Sequence, residues 1–128
     1  MLERDLPKAS AYESPRFFFR GEGFTADMEI GPSGDFIVAA GSKARVRTTR
    51  TIPRGTVTLR NTLIEKGVLR EEGDFLIFTS DYSFTSASAA AATVIGASAN
   101  GRILWKHPDG RTYADWETSQ DVSNRTSS

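Results

Sequence analysis

At 128 residues, with 38% hydrophobic, 10% aromatic and 25% charged side chains, the chain is sized for one globular domain. It has no cysteine, which excludes disulfides, thiolate nucleophiles, iron-sulfur clusters and zinc ribbons, and its one histidine, His107, cannot build a multi-histidine metal site. Net charge is zero but unevenly spread: residues 41–70 hold eight basic side chains against Glu65 alone, a local +7, whereas the first forty residues carry −3 and the last fifty-eight −4.

There is no Gly-rich phosphate loop, no Gly-x-Ser-x-Gly elbow and no Ser-x-x-Lys motif, so the reading is a non-enzymatic binding module that needs no cofactor. No apolar window approaches a membrane span, and Met1-Leu2-Glu3-Arg4-Asp5 has neither a basic nor an apolar leader region, so a cytoplasmic protein without membrane contact is expected.

Residues 1–16 are polar, contain Pro7 and Pro15, and read as a flexible lead-in to a single domain over 17–117. Phe17-Phe18-Phe19-Arg20 is a strand candidate. Phe24 to Ile30 and Phe36 to Ala40, joined by Gly31-Pro32-Ser33-Gly34-Asp35, read as a hairpin. Gly41-Ser42 interrupts the second arm, through a turn or bulge. Lys43-Ala44-Arg45 opens the basic segment, and from Thr56 to Lys66 the apolar positions Leu59, Leu63 and Ile64 fall at helical spacing with Gly67 as the stop. Val68-Leu69 is a short extended piece. Phe75 to Phe78, entered through Glu71-Glu72-Gly73-Asp74, reads as a central strand buried on both faces.

Ser86 is the expected N-cap of an alanine-rich helix over Ala87 to Ile95, and Gly96 its end. Asn100-Gly101 reads as a tight turn, and Arg102 to Lys106 and Thr112 to Trp116 as two strands joined by His107-Pro108-Asp109-Gly110. Residues 118–128 read as a disordered polar tail. The expected class is α+β, a small mostly antiparallel sheet with two short helices.

Three blocks carry a family resemblance: Phe36 to Arg45, Asp81 to Ala91, and Ser98 to Arg102 with Trp105-Lys106. They resemble an uncharacterised bacterial domain found C-terminal to GIY-YIG nucleases and in restriction-type systems, related in pattern to the restriction adenine methylase associated domain. The resemblance implies reading of modified DNA for a nuclease. It departs from the family at Thr85-Ser86-Ala87-Ser88, where a proline is usual at the first helical position. No Gly-Ile-Tyr and Tyr-Ile-Gly pair occurs, so any nuclease would act in trans.

The candidate nucleic-acid contacts are Lys43, Arg45, Arg47, Arg50 and Arg54, because closely spaced cations can follow successive phosphates; the competing reading is a solvated surface loop. Tyr82, Phe84 and Trp105 could stack on a base or could be core. The Asn100 amide could read a base edge or could simply make a turn. His107 reads as a surface turn residue, and Asn124-Arg125-Thr126 as a chance glycosylation match. The competing function is a protein-interaction module that docks a nuclease or other effector through the open sheet face or the alanine-rich helix.

Overall fold

The computed structural model describes residues 15–127; most of the expected lead-in, residues 1–14, lies outside them. The strands are β1 (Arg16–Gly21), β2 (Phe24–Ile30), β3 (Phe36–Val38), β4 (Lys43–Arg45), β5 (Leu69–Glu72), β6 (Phe75–Phe78) and β7 (Tyr82–Phe84). The helices are α1 (Arg54–Glu65), α2 (Ala87–Ile95), α3 (Gly101–Leu104) and α4 (Tyr113–Ser127). Every strand pair is antiparallel, which makes this an α+β fold.

β1 and β2 form a tight hairpin through Glu22-Gly23, and β2 and β3 a second one through residues 31–35. β3 and β4 then behave as one interrupted strand. Both lie beside β2, but Met28 faces Val38 whereas Thr25 faces Lys43, so two extra residues are absorbed between them. On their other side β3 pairs with β7 and β4 with β6, in one register that runs unchanged across the gap. The gap is held by Gly41 N–H to the Phe78 carbonyl (2.8 Å), Phe78 N–H to the Ser42 carbonyl (2.9 Å) and Ala40 N–H to Asp81 Oδ1 (2.8 Å). The interruption expected at Gly41-Ser42 is therefore a bulge closed by hydrogen bonds from a neighbouring strand.

Alternation along the strands sorts side chains onto two faces. Phe17, Phe19, Ala26, Met28, Val38, Ala44, Leu76, Phe78 and Phe84 are buried, and together with α2 they make the core. Phe18, Ile37, Phe75 and Ile77, out of phase with them, are half-buried. β6 is thus an interior strand between β4 and β5, but it buries Leu76 and Phe78 on one face only; the expected double burial does not occur, because α2 and the rest of the core lie on that face alone.

α2 matches its expected span. Ser86 Oγ accepts from Ala89 N–H (3.0 Å), and Gly96 closes the helix in the left-handed region at φ 72°. Six of its nine residues are buried, four of them alanines, so the helix sinks into the core. α1 begins two residues earlier than the apolar spacing suggested, at Arg54, behind Pro53.

The C-terminal third departs from its reading. Asn100 is a helix N-cap, its Oδ1 accepting from Arg102 N–H (3.1 Å), and Gly101 opens the single-turn α3. Of the two expected strands only isolated bridges remain, Lys106 to Phe18 and Lys106 to Thr112. From Tyr113 the backbone is helical, through the polar stretch and on to Ser127. Tyr113 and Trp116, three residues apart, lie edge-on to Phe17, and this anchorage at helical spacing outweighs the β-propensity of the aromatic residues. No helix among the described residues is long and apolar enough to cross a membrane.

Candidate functional site

The basic segment runs from β4 through loop 46–53 into α1, and its shape depends on one arginine. Arg60 is 5% exposed. Its guanidinium donates Nε to the Thr93 carbonyl (3.0 Å), Nη1 to that of Val46 (3.5 Å) and Nη2 to that of Arg45. One of the eight basic side chains of residues 41–70, Arg60 is a clamp that ties the end of β4 to the C-terminal turn of α2, where helix carbonyls favour positive charge. Burial lowers its pKa from the usual guanidinium value. Thr49 N–H reaches the Gly96 carbonyl (3.0 Å), and Thr51 N–H the Thr49 hydroxyl (3.2 Å). Gly96 is required twice: its φ is positive, and a Cβ there would stand 2.6 Å from the Arg47 carbonyl.

On this frame the five predicted cations differ. Lys43 Nζ lies 4.6 Å from the Phe75 ring centre. Arg45 donates to the Glu22 carbonyl (3.0 Å from Nη2) and lies over Phe24. Arg47, Arg50 and Arg54 are exposed. Among the described residues, none of Arg45, Arg47, Arg50, Arg54 and Arg60 has a carboxylate partner, whereas Arg16, Arg20, Arg70, Arg102 and Arg111 are each ion-paired, to Glu29, Asp27, Glu72, Glu117 and Asp109. Arg45, Arg47 and Thr49 line an open groove of about 940 Å³ together with the acidic residues Glu22, Glu71 and Asp74.

The aromatic candidates lie elsewhere. Trp105 is fully buried and donates Nε1–H to the Ala87 carbonyl (3.0 Å), and Phe84 is 3% exposed between Phe78 and Tyr82. Tyr82 is half-buried, its ring centre 5.0 Å from that of Phe84. The three blocks that carry the family resemblance meet at this junction. Gly101 N–H donates to Ser88 Oγ (2.9 Å), and a Cβ on Gly101 would fall 2.1 Å from the Ala87 carbonyl oxygen. The Asn-Gly pair therefore serves a helix cap and a helix-to-helix contact, with the Asn100 amide oxygen accepting from Arg102 N–H. His107 sits in the 107–110 turn, edge-on to Phe17.

Among the described residues no group of three or more His, Cys, Asp or Glu could hold a metal ion. Sequence reasoning missed Arg60, the acidic lining at Glu71 and Asp74, and a cleft along α1. Only the spacing of Val57 and Ile64, seven apart on a helix, could have signalled the cleft.

No curated protein and no solved structure matches the chain at a significant level. The model of a family described as a domain of unknown function (DUF4357) matches residues 17–117, from β1 into α4 and across all three resembling blocks, and the chain belongs to that family.

Proposed function

We propose that this domain is a non-enzymatic accessory module that binds nucleic acid through the β4–α1 segment. The observation that carries the reading is the pairing pattern of its arginines among the described residues: Arg16, Arg20, Arg70, Arg102 and Arg111 have carboxylate partners, and those from Arg45 to Arg60 have none there. Exposed cations left unpaired on a pinned loop keep their electrostatic free energy for an external anion, and a polyanion gains further from counterion release. Arg47, Arg50 and Arg54 contact phosphate in this reading, Lys43 and Arg45 extend the patch, and Arg60 shapes it. The family resemblance supports a nuclease in trans as the effector. A preference for modified DNA would need base contacts other than Phe84 and Trp105, whose burial leaves no face to a base.

The competing docking role has less behind it: most of α2 is buried, and on the open sheet face Arg20 lies over Phe18 and Lys43 over Phe75. Titrating labelled duplex and single-stranded DNA between about 50 and 200 mM salt tests the proposal. Affinity should fall steeply with salt, and replacing Arg47, Arg50 and Arg54 by alanine should flatten the log–log slope by up to about 3. Absence of binding to either ligand at the low-salt end overturns it.

A further inference from the structure

The groove lined by Arg45 and Arg47 continues past Thr48. Val46, Thr48 and Glu71 line both it and a smaller cleft of about 260 Å³ between loop 46–52 and the outer side of α1. Val57, Asn61 and Ile64 stand on one stripe of that helix along the cleft, with Ile52 and Leu76 completing its apolar lining. Val57 is 38% and Ile64 45% exposed, and of the three large apolar side chains exposed among the described residues these two line this cleft. The Asn61 side-chain amide has no hydrogen-bond partner among the described residues. Two exposed cations are close in the chain to this lining: Arg54 is three residues before Val57 on α1, and Arg50 two before Ile52.

We infer that this cleft takes the base of an unpaired nucleotide whose flanking phosphates lie on Arg47, Arg50 and Arg54, so that the ligand is single-stranded or locally unpaired nucleic acid. The inference rests on the nucleic-acid reading above and adds strandedness to it. The cleft is smaller than the roughly 300–1,000 Å³ of sites for drug-sized molecules, which suits one flat ring system. Branched aliphatic side chains offer apolar surface to the faces of a base, and an amide can both donate and accept at its edge. Arg54, one turn before Val57 on α1, and Arg50, two residues before Ile52, bring cations near the apolar lining for the phosphates on either side, and Glu71 is the one carboxylate residue in that lining. A base inside an intact duplex cannot enter such a cleft, whereas an unpaired one brings its phosphates with it. An amphipathic helical peptide would need anchors along about two turns, more than this space holds.

The test compares a short single strand, the same strand with abasic sites at its centre, and the matching duplex. Electrostatics alone favours the duplex, which carries the denser charge. The wild-type protein should instead bind the intact single strand about tenfold tighter than either alternative, the size expected from one stacked base. Val57→Ser with Ile64→Ser should erase that preference and leave the salt slope unchanged; both positions are exposed, and circular dichroism checks the fold. Salt-dependent binding without the preference, or a preference that survives the double substitution, overturns the inference and leaves the nucleic-acid reading standing. If none of the three ligands binds, both fall. An acidic amphipathic peptide that binds wild type but not the double variant, where no strand binds, overturns it in favour of a protein partner.

Discussion

The α2–α3 junction and the β4–α1 segment use their residues in opposite ways. At the junction, small residues let backbones meet: Gly101 abuts Ala87, Trp105 fills the space beneath, and both polar groups on offer, the Ser88 hydroxyl and the Trp105 indole N–H, bond within the fold. In the segment, long cations stand apart from carboxylates on a loop whose backbone is fastened from below by Arg60. The resembling blocks Asp81 to Ala91 and Ser98 to Lys106 meet in the first region, Phe36 to Arg45 reaches into the second, and the family match spans both.

Substitutions should separate the two regions. Trp105→Ala should cost about 3–5 kcal/mol, since it empties a fully buried site and removes the donor to the Ala87 carbonyl. Urea unfolding measures this, and an unchanged midpoint would remove Trp105 from the core. Gly101→Ala should cost about 1–3 kcal/mol by forcing α3 away from α2, and Ala90→Leu, at a site with no exposed surface, a similar amount. A stabilised Ala90→Leu protein would show α2 to be less tightly packed than its burial implies.

Arg60→Leu is the substitution in the basic segment expected to behave like a junction mutant. It leaves three carbonyls without their donor, so a loss of about 1–3 kcal/mol is expected, with nucleic-acid binding weakened through the lost shape of the loop. Binding that is retained with a lowered melting temperature would show that the loop keeps its shape without the clamp. Each of Arg47→Ala, Arg50→Ala and Arg54→Ala should change stability by no more than about 0.5 kcal/mol, because the side chains are exposed and no side-chain hydrogen bond or ion pair among the described residues is lost. A large drop in melting temperature for the triple variant would place those side chains in the fold rather than at its surface.

The smallest expected effect concerns a paired arginine. The Asp109 carboxyl is held down to about 2, first by the side-chain hydrogen bond from Arg111 and then by the Arg111 backbone N–H. A folded-state pKa below the unfolded one means that the pair's contribution is present above the ordinary aspartate range and is lost as pH falls through about 2. A carboxyl titration followed by NMR should place Asp109 near that value in the wild type and higher in Arg111→Ala. The same midpoint in both proteins would deny the pair its role.

Local signals accounted for much of the fold. The hairpin over Phe24 to Val38, the stop at Gly67 and the capped helix from Ser86 to Gly96 each follow from chemistry within a few residues. The C-terminal third was misread because Asn-Gly and aromatic residues carry the same local signal in a hairpin as in a capped turn of helix. What separates them is the contact of Gly101 with Ala87, fourteen residues earlier in the chain. Within the site, the sequence located the basic segment but could not rank its members, since a buried arginine and an exposed one look alike until carbonyls converge on one of them.

By itself the sequence determined the α+β class, the charge asymmetry and the small-residue helix, because composition, periodicity and capping act over one or two turns of chain. The tertiary structure decided which face of the sheet is covered, that Arg60 is a clamp, that Trp105 and Phe84 are core, and that Val57 and Ile64 share a cleft with the basic loop. Those outcomes depend on which segments meet across long separations, where burial and the satisfaction of backbone carbonyls outweigh local preference.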